Sequence, residues 1–497
     1  MVNLIERPSA IILNHYKENS VYSLHKFLSV WDNITFRYTQ HLFEYEKEDD
    51  DDPNCKVGVL RIPRGVGMDV VETKLQEAGI EYKKDNQVEA YRHYRDISFN
   101  MVLPPKNEIH ESSVKFLHTA GKENHQAFLA LDVGRGKTYC TIKHISEVHK
   151  PALIISYNLS YQWQEKALQY TDLDNGENGG IVNIVGTQYF RDVTDGKIKP
   201  NAALYITSIS TIHMYQNMYG KSSIQEIADK LGIGIKVFDE AHNRYLLFNS
   251  IDLNMQTDET IYLSATPGRS SKPEDRIFNR IYKNVPSFGS FTSKMSDFYT
   301  VKYITYDSFS TAQDRCQMRT PRGMNSLKYT RYLFDKYGNN MMRLMMEEVR
   351  PIFAKYPDCR MLIVTDWIRD IKFIKDWFAE HYPMYSVGTY CQLVQKKSDR
   401  EKELDKQIII GTIGSMQNGK DIEKLQIIFP ICCWESPIVT HQLMGRLRQL
   451  ENRDVYYFDL ADISVPNIMK QRRSRDRILR ERAKGEIEDD RVDLDRI

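Results

Sequence analysis

The sequence predicts an α/β chain of two tandem domains, each a parallel sheet flanked by helices, preceded by a small α+β domain. Two series of short apolar runs carry this reading, together with the different texture of the first hundred residues. The first series lies at 127–131, 152–156, 203–206, 235–238 and 260–263. The second lies at 361–364, 385–387, 407–410, 425–431 and 455–458. Runs this short and this apolar fit strands buried on both faces, and the longer stretches between them fit the helices that cover such sheets. The intervening stretch, roughly 285–345, reads as less regular.

The N-terminal region alternates short aromatic and β-branched stretches, 34–38 and 57–62, around the acidic run 48–53. Consecutive carboxylates repel and stay hydrated, so the run is expected in a loop. A short helix near 24–28, a helix over 68–78 with Val70, Val71, Leu75 and Ala78 on one face, and a return to β pattern at 80–82 complete the α+β unit. The segment 101–107 contains Pro104-Pro105 and reads as a linker, because two prolines continue neither a helix nor a central strand. The expected boundaries are 1–100, 107–290, 291–465 and a basic-then-acidic tail, 466–497.

Lys plus Arg total 68 against 67 Asp plus Glu, a formal net charge of +1. Any nucleic-acid surface must then be local, since bulk charge gives no attraction. The 497 residues hold no apolar run long enough to cross a membrane. The N-terminus lacks the pattern of a secretory leader, and the seven scattered cysteines never form CxxC. The expectation is a cytoplasmic protein without membrane partner, disulfide framework or zinc site, and a monomer.

After the first apolar run stands Leu131-Asp132-Val133-Gly134-Arg135-Gly136-Lys137-Thr138. A triphosphate requires inward backbone N–H groups, a lysine for the β- and γ-phosphates, a hydroxyl for Mg²⁺ and a helix N-terminus. Gly134, Arg135, Gly136, Lys137 and Thr138 supply that set, although Leu131 stands where the full phosphate-loop pattern has glycine. Downstream, the run 235–238 ends in Asp239-Glu240-Ala241-His242. Two acids at the end of a buried strand lie at the sheet edge beside the phosphate loop. Asp239 is expected to hold Mg²⁺ together with Thr138, and Glu240 to activate the attacking water. ATP and Mg²⁺ are the expected cofactors.

With these residues, 107–465 resembles the DEAH-type members of helicase superfamily two, whose two RecA-like domains share one ATP. Ser264-Ala265-Thr266 resembles the motif that couples hydrolysis to DNA contact. Leu159-Ser160-Tyr161-Gln162-Trp163 and Thr207-Ser208-Ile209-Ser210-Thr211 resemble nucleic-acid-contacting motifs. Gly411-Thr412 with Gly419 and Asp421 resembles the fifth motif, and 441–448, containing Gln442, Arg446 and Arg448, resembles the sixth. The resemblance implies nucleotide contacts from Gly419, Asp421 and Gln442. It also implies an arginine that neutralises charge on the γ-phosphate, with Arg446 and Arg448 both candidates. The sixth motif usually has its second arginine at the place of Gln449. His110, upstream of the loop, reads as a solvated residue, and adenine selectivity comes from the resemblance alone.

Gln162, Thr207, Ser208, Thr365 and Thr412 are the expected phosphate-backbone contacts; Trp163 is read either as a base-stacking ring or as a core tryptophan. The basic stretch 470–484 reads either as a phosphate-binding helix or as a solvated helix paired with acidic 486–490. The methionines Met341, Met342, Met345 and Met346 read as core. The order of elements in 1–100 is similar to the N-terminal domain of the branch-migration and replication-repair helicases of tailed phages, which implies an accessory DNA-binding role. The expected activity is an ATP-dependent helicase or translocase acting on single-stranded and branched DNA in phage replication, recombination or repair, and the resemblance implies 3′-to-5′ travel. An RNA helicase with the same engine, the motor subunit of a restriction or packaging complex, and a nucleotide-switched scaffold are the other readings.

Overall fold

Strands that are apolar on both sides need a layer of helix above and below, and the two series of runs meet that need in two separate sheets. The computed structural model describes residues 1–18, 20–32, 37–39, 41–49, 57–92, 94–132, 134–157, 160–265, 272–289, 298–320, 323–391, 394, 397–417 and 422–497. The chain divides into two compact units, Met1–Phe291 and Thr292–Ile497.

The first unit holds a seven-stranded, all-parallel sheet in the order Ile181–Ile184, Leu204–Ser208, Ala152–Ser156, Ile235–Phe238, Glu259–Leu263, Gln126–Leu129, Ser287–Phe288. The central strands are buried along their whole length, the charged Lys236 and Glu259 included. The strand Ile181–Ile184 was not foreseen. It lies at the sheet edge and its two middle residues are only half-buried, so it carries no continuous apolar run.

The N-terminal region forms a five-stranded mixed sheet, in the order Glu44–Lys47, Val57–Pro63, Ala10–Lys17, Val2–Glu6, Tyr82–Asn86. The expected helices are present as Tyr22–Phe27 and Met68–Glu77. Of the aromatic stretch 34–38, residues 34–36 lie outside the described residues. Arg37–Thr39 pairs with Val30–Asp32 in a separate two-stranded ribbon. Residues 50–53 of the acidic run also lie outside the described residues.

This region does not stand apart from the sheet that follows it. Ile5, Ala10 and Ile12 pack with Leu253 on the helix Tyr245–Asn254. The Glu44 carboxylate accepts bonds from Asn254 (2.7 Å), Lys221 (2.8 Å) and Ser250. Ser9 bonds through both its N–H and its hydroxyl to Gln256, each at 3.1 Å. The expected linker is laid along the same unit: Val102 N–H donates to the Tyr170 carbonyl (2.8 Å) and the Tyr139 hydroxyl to the Leu103 carbonyl (2.9 Å).

The second unit holds another seven-stranded parallel sheet, ordered Val387–Tyr390, Ile408–Thr412, Arg360–Thr365, Leu425–Pro430, Val455–Asp462, Tyr299–Asp307, Glu488–Asp493. Tyr299–Asp307 comes from the stretch read as irregular. Its first half alternates buried Tyr299, Val301 and Tyr303 with half-buried Thr300 and Lys302. That is a period-two pattern rather than a continuous apolar run. The helix Ser326–Lys355 buries all four clustered methionines, as expected.

The C-terminal 32 residues, read as a tail, are instead part of this fold. They form the helix Pro466–Arg482 and the edge strand Glu488–Asp493. The spacing of Arg472, Arg475, Leu479 and Arg482 puts them on one helical face, and all four are buried. Arg472 and Arg475 converge on the buried carboxylate of Asp459 at 3.1 and 2.8 Å. Neither reading of the basic stretch, phosphate-binding or solvated, accounts for these three arginines. Asp459→Ala leaves two guanidinium groups buried without their counter-charge. A loss of about 3–5 kcal/mol is expected, measured as the shift in urea unfolding of the second unit followed by tryptophan fluorescence.

Candidate functional site

In a parallel sheet all the strands end on the same edge, so the segments that follow them are gathered there. In the first unit this edge collects the turn after Gln126–Leu129, the helix start after Ala152–Ser156, Thr207-Ser208, the acids after Ile235–Phe238, and Ser264-Ala265.

The turn after Gln126–Leu129 leads into the helix Lys137–Val148. Gly134 and Gly136 both take left-handed backbone angles, φ 78° and 88°, a region that favours glycine. A Cβ on Gly136 would also lie 2.2 Å from His110 Nε2. His110 is therefore not the solvated residue expected. It is buried, its ring stacks on Tyr139 at 4.9 Å, and its backbone N–H is capped by Asn107 at the start of Glu108–Asn124. Burial lowers its pKa and favours the neutral imidazole. The N-cap Asn107 was the available signal, since a residue three places into a capped helix is no longer in a linker. Lys137 opens the following helix, and its ammonium turns back to donate to the Leu131 carbonyl at 3.0 Å. Arg135 and Thr138 are half-exposed. Val133 lies outside the described residues.

Asp239 ends its strand almost buried, and its Oδ2 accepts a 2.8 Å bond from the indole N–H of Trp163. Burial, and then the neighbouring charge of Glu240, push its pKa up to about 6; the Trp163 bond and the Lys137 charge oppose that rise. The phosphate-loop lysine and the strand-end acids thus occupy one electrostatic neighbourhood. Glu240 has φ 54°, which turns the chain sharply at the sheet edge. His242 Nδ1 lies 2.8 Å from the Ser264 hydroxyl and 3.3 Å from Glu240 Oε2, so it joins the acidic motif to the Ser264 motif. This link was not foreseen from sequence. Thr266 lies outside the described residues.

The nucleic-acid candidates divide. Gln162 and Thr412 are half-exposed; Ser208 is half-exposed too, with its hydroxyl capping the helix Ile209–Tyr219 by accepting from Thr211 N–H. Trp163 is 2% exposed and offers no face to a base, which corrects the stacking reading and fixes it as a core residue bonded to Asp239. The hydroxyls of Thr207 and Thr365 are buried and donate to the Ile184 carbonyl (3.2 Å) and to Asp370 (2.9 Å). These two positions sit inside strands, so they are corrected from surface phosphate contacts to internal bonds.

In the second unit, Ser436 caps the helix Pro437–Met444, which carries Gln442. Arg446 lies in the turn just after this helix, and Arg448 donates to the Gly445 carbonyl. His441 is buried and its Nε2 bonds Arg482 at 2.7 Å, so the C-terminal helix holds this segment in place. Gly419 and Asp421 lie outside the described residues.

Residues 84–269 match the family described as Type III restriction enzyme, res subunit. No curated protein matches by sequence. Among solved structures, the L327V variant of S. cerevisiae Dbp5 bound to RNA and ADP BeF3 is similar with a TM-score of 0.51 at 13% identity, over 78% of this chain and 90% of that one. The Type ISP restriction-modification enzyme LlaBIII bound to DNA is similar with a TM-score of 0.53 at 15% identity, over 78% of this chain and 32% of that one. T4 UvsW aligns over 99% of both chains at 15% identity, with a TM-score of 0.37. At these identities the likeness is one of fold.

The raised pKa of Asp239 has a thermodynamic sign. Below the unfolded value near 3.8 the carboxyl is protonated in both states, and above about 6 the folded chain carries a charge that burial disfavours. Asp239→Asn is therefore expected to stabilise the ligand-free first unit at pH 7 by on the order of 2 kcal/mol. The gain should fade as pH falls from 6 towards 4, as checked by urea unfolding across that range.

Proposed function

We propose, from the premise that this chain is an ATP-dependent helicase-type enzyme of superfamily two, that it is a DNA helicase or translocase which unwinds or remodels branched DNA. Forks and junctions are the substrates, travel is 3′ to 5′, and the protein works as a monomer. One observation carries the reading: Lys137 opens a helix behind a glycine turn, with Asp239 and Glu240 at the same edge of the same sheet and Lys137 acting electrostatically on Asp239. Support for DNA comes from the match of residues 84–269 to a restriction-enzyme subunit and from the fold likeness to LlaBIII, described as bound to DNA.

The side chains fit a magnesium nucleotide. A buried carboxylate, a half-exposed threonine hydroxyl and a lysine ammonium at a helix N-terminus are the donor set such a ligand needs. Thr138 and Asp239 would hold Mg²⁺, which supplies neutralisation of phosphate charge when bound. Gly134 and Gly136 would present backbone N–H groups to the phosphates, Arg135 N–H would exchange its 3.1 Å bond to the Asp132 carbonyl and Lys137 its bond to the Leu131 carbonyl for phosphate oxygens. Glu240 accepts a proton from the attacking water, and His242 carries the change to Ser264. Arg446 and Arg448 are both candidates for the neutralising role in hydrolysis. His441 and Arg482 position the segment that carries them.

The family match also favours a second reading, the motor subunit of a restriction assembly. ATP hydrolysis measured in parallel with single-stranded DNA, forks, four-way junctions, linear duplex and RNA separates the readings. Stimulation and strand separation on forks and junctions support the first. Stimulation by intact duplex without strand separation supports the second, and stimulation by RNA alone overturns both.

Lys137→Ala is expected to abolish ATP hydrolysis and strand separation together; robust unwinding by this variant removes the phosphate loop from the engine. Glu240→Gln should keep ATP binding and lower turnover by about 10²–10⁴-fold, read in nucleotide binding and steady-state hydrolysis. One of Arg446→Ala and Arg448→Ala should lower kcat by about 10³-fold or more with ATP binding retained, and the other should fall far short of that, which identifies the neutralising arginine.

A further inference from the structure

Thr365 ends the strand Arg360–Thr365 with its hydroxyl turned inward, so the question is what the same strand end presents to solvent. Asp366 and Asp370 do not dominate it. Asp370 accepts from Thr365 (2.9 Å) and Asp366 from Thr330 (3.3 Å), and burial pushes both pKa values up to about 6. Between them Trp367 stands in extended backbone as the N-cap of the helix Ile368–His381, with 37% of its surface exposed. Two guanidinium groups flank its ring, Arg331 at 5.8 Å and Arg369 at 5.9 Å from the centroid. Both arginine side chains are more than half exposed, and both share a single carboxylate, Asp335, at 3.4 and 2.9 Å. Leu327, one helical turn before Arg331, is exposed as well.

A large ring left open at a strand end, with acids turned inward and two cations sharing one counter-charge, is the composition of a platform for a single strand. The ring offers a face that any base can stack on, and the guanidinium groups supply phosphate contacts that read no sequence. An arginine can leave the ring for a phosphate oxygen, because neither side chain is locked by burial. The register adds a neighbour. Thr365 pairs with Thr412 on the adjacent parallel strand, so Trp367 follows the strand end next to half-exposed Thr412 and Ser415.

We propose that Trp367, with Arg331 and Arg369, forms a stacking platform for single-stranded DNA at the carboxyl edge of the second sheet. It takes the place that the sequence had assigned to Thr365. The inference rests on the DNA-translocase reading and names a contact which that reading does not itself supply.

The test uses the full chain and two fluorescein-labelled strands of equal length, oligo-dT and an abasic strand, with binding followed by anisotropy at several salt concentrations. Trp367→Ala should weaken binding of oligo-dT about tenfold and leave the abasic strand unchanged, while Trp367→Phe should restore most of the loss. The double variant Arg331→Gln/Arg369→Gln should instead weaken both strands and reduce the slope of log K against log salt by about 1.4 for two lost phosphate contacts. Unchanged binding of oligo-dT by Trp367→Ala overturns the platform, as does an equal loss on both strands, which would make the ring a folding element. A wild-type chain that binds neither strand overturns the translocase reading along with it.

Discussion

Asp239 is a carboxylate kept where its charge is costly, and the rest of the first unit is arranged around that cost. The strand before it is buried in a parallel sheet along its whole length, so the acid that ends it inherits a dry surrounding. Three neighbours act on the charge. Trp163 gives it an indole N–H, Lys137 gives it a distant positive charge, and Glu240 opposes both. With its neutral and charged forms closely balanced, a divalent cation gains more from this carboxylate than from one already saturated by hydrogen bonds. The neighbouring residues are constrained as well. Glu240 accepts a left-handed backbone, and Gly136 has room for no side chain because His110 fills that space.

The constraint spreads outwards through packing. His110 touches the glycine turn on one side and Tyr139 on the other, and Tyr139 is bonded to the strap at Leu103. On the far side of the unit, Lys236 in the strand leading to Asp239 is fully buried against Asp252 (2.6 Å) and the Ser9 hydroxyl (3.0 Å). The N-terminal sheet is thereby tied to the strand that leads into Asp239 and Glu240. A region joined by a shared core and buried polar bonds moves with the sheet it covers, so any DNA contact it makes is carried as one body with the nucleotide site. This differs from a domain hung on a flexible linker, which would sample many orientations.

The doubly buried strands, the glycine turn and the acidic motif were legible because each imposes a local rule on sequence: continuous apolar residues, glycine where φ is positive, acids where a strand stops. The misses share a different origin. Tyr299–Asp307 alternates for half its length and so escapes a search for continuous runs. Trp163 and His110 are ordinary in their own segments and acquire their roles from partners 76 and 26 positions away, Asp239 and Gly136. Thr207 and Thr365 were matched by residue type, but side-chain direction depends on whether the residue still belongs to the strand. In the C-terminal helix the charge of the arginines hides their burial, although their helical spacing, with Leu479 among them, marks a buried face.

Those arginines also change where nucleic-acid affinity has to come from. A chain with a net charge of +1 attracts DNA only through local excess, and its densest basic stretch commits three guanidinium groups to Asp459, His441 and the core of the second unit. A buried, paired arginine releases no counterions when DNA binds, because its charge is already neutralised inside the protein. On the DNA-translocase reading, affinity would rest on the proposed stacking and on cations that stay exposed, such as Arg477 and Arg480, and stacking is less sensitive to salt than phosphate contact. That suits a motor which has to release each phosphate as often as it grips one. A surface of many strong ion pairs would hold the strand in every state of the nucleotide cycle, whereas a few contacts of moderate strength can be made and broken by the free energy of a single hydrolysis.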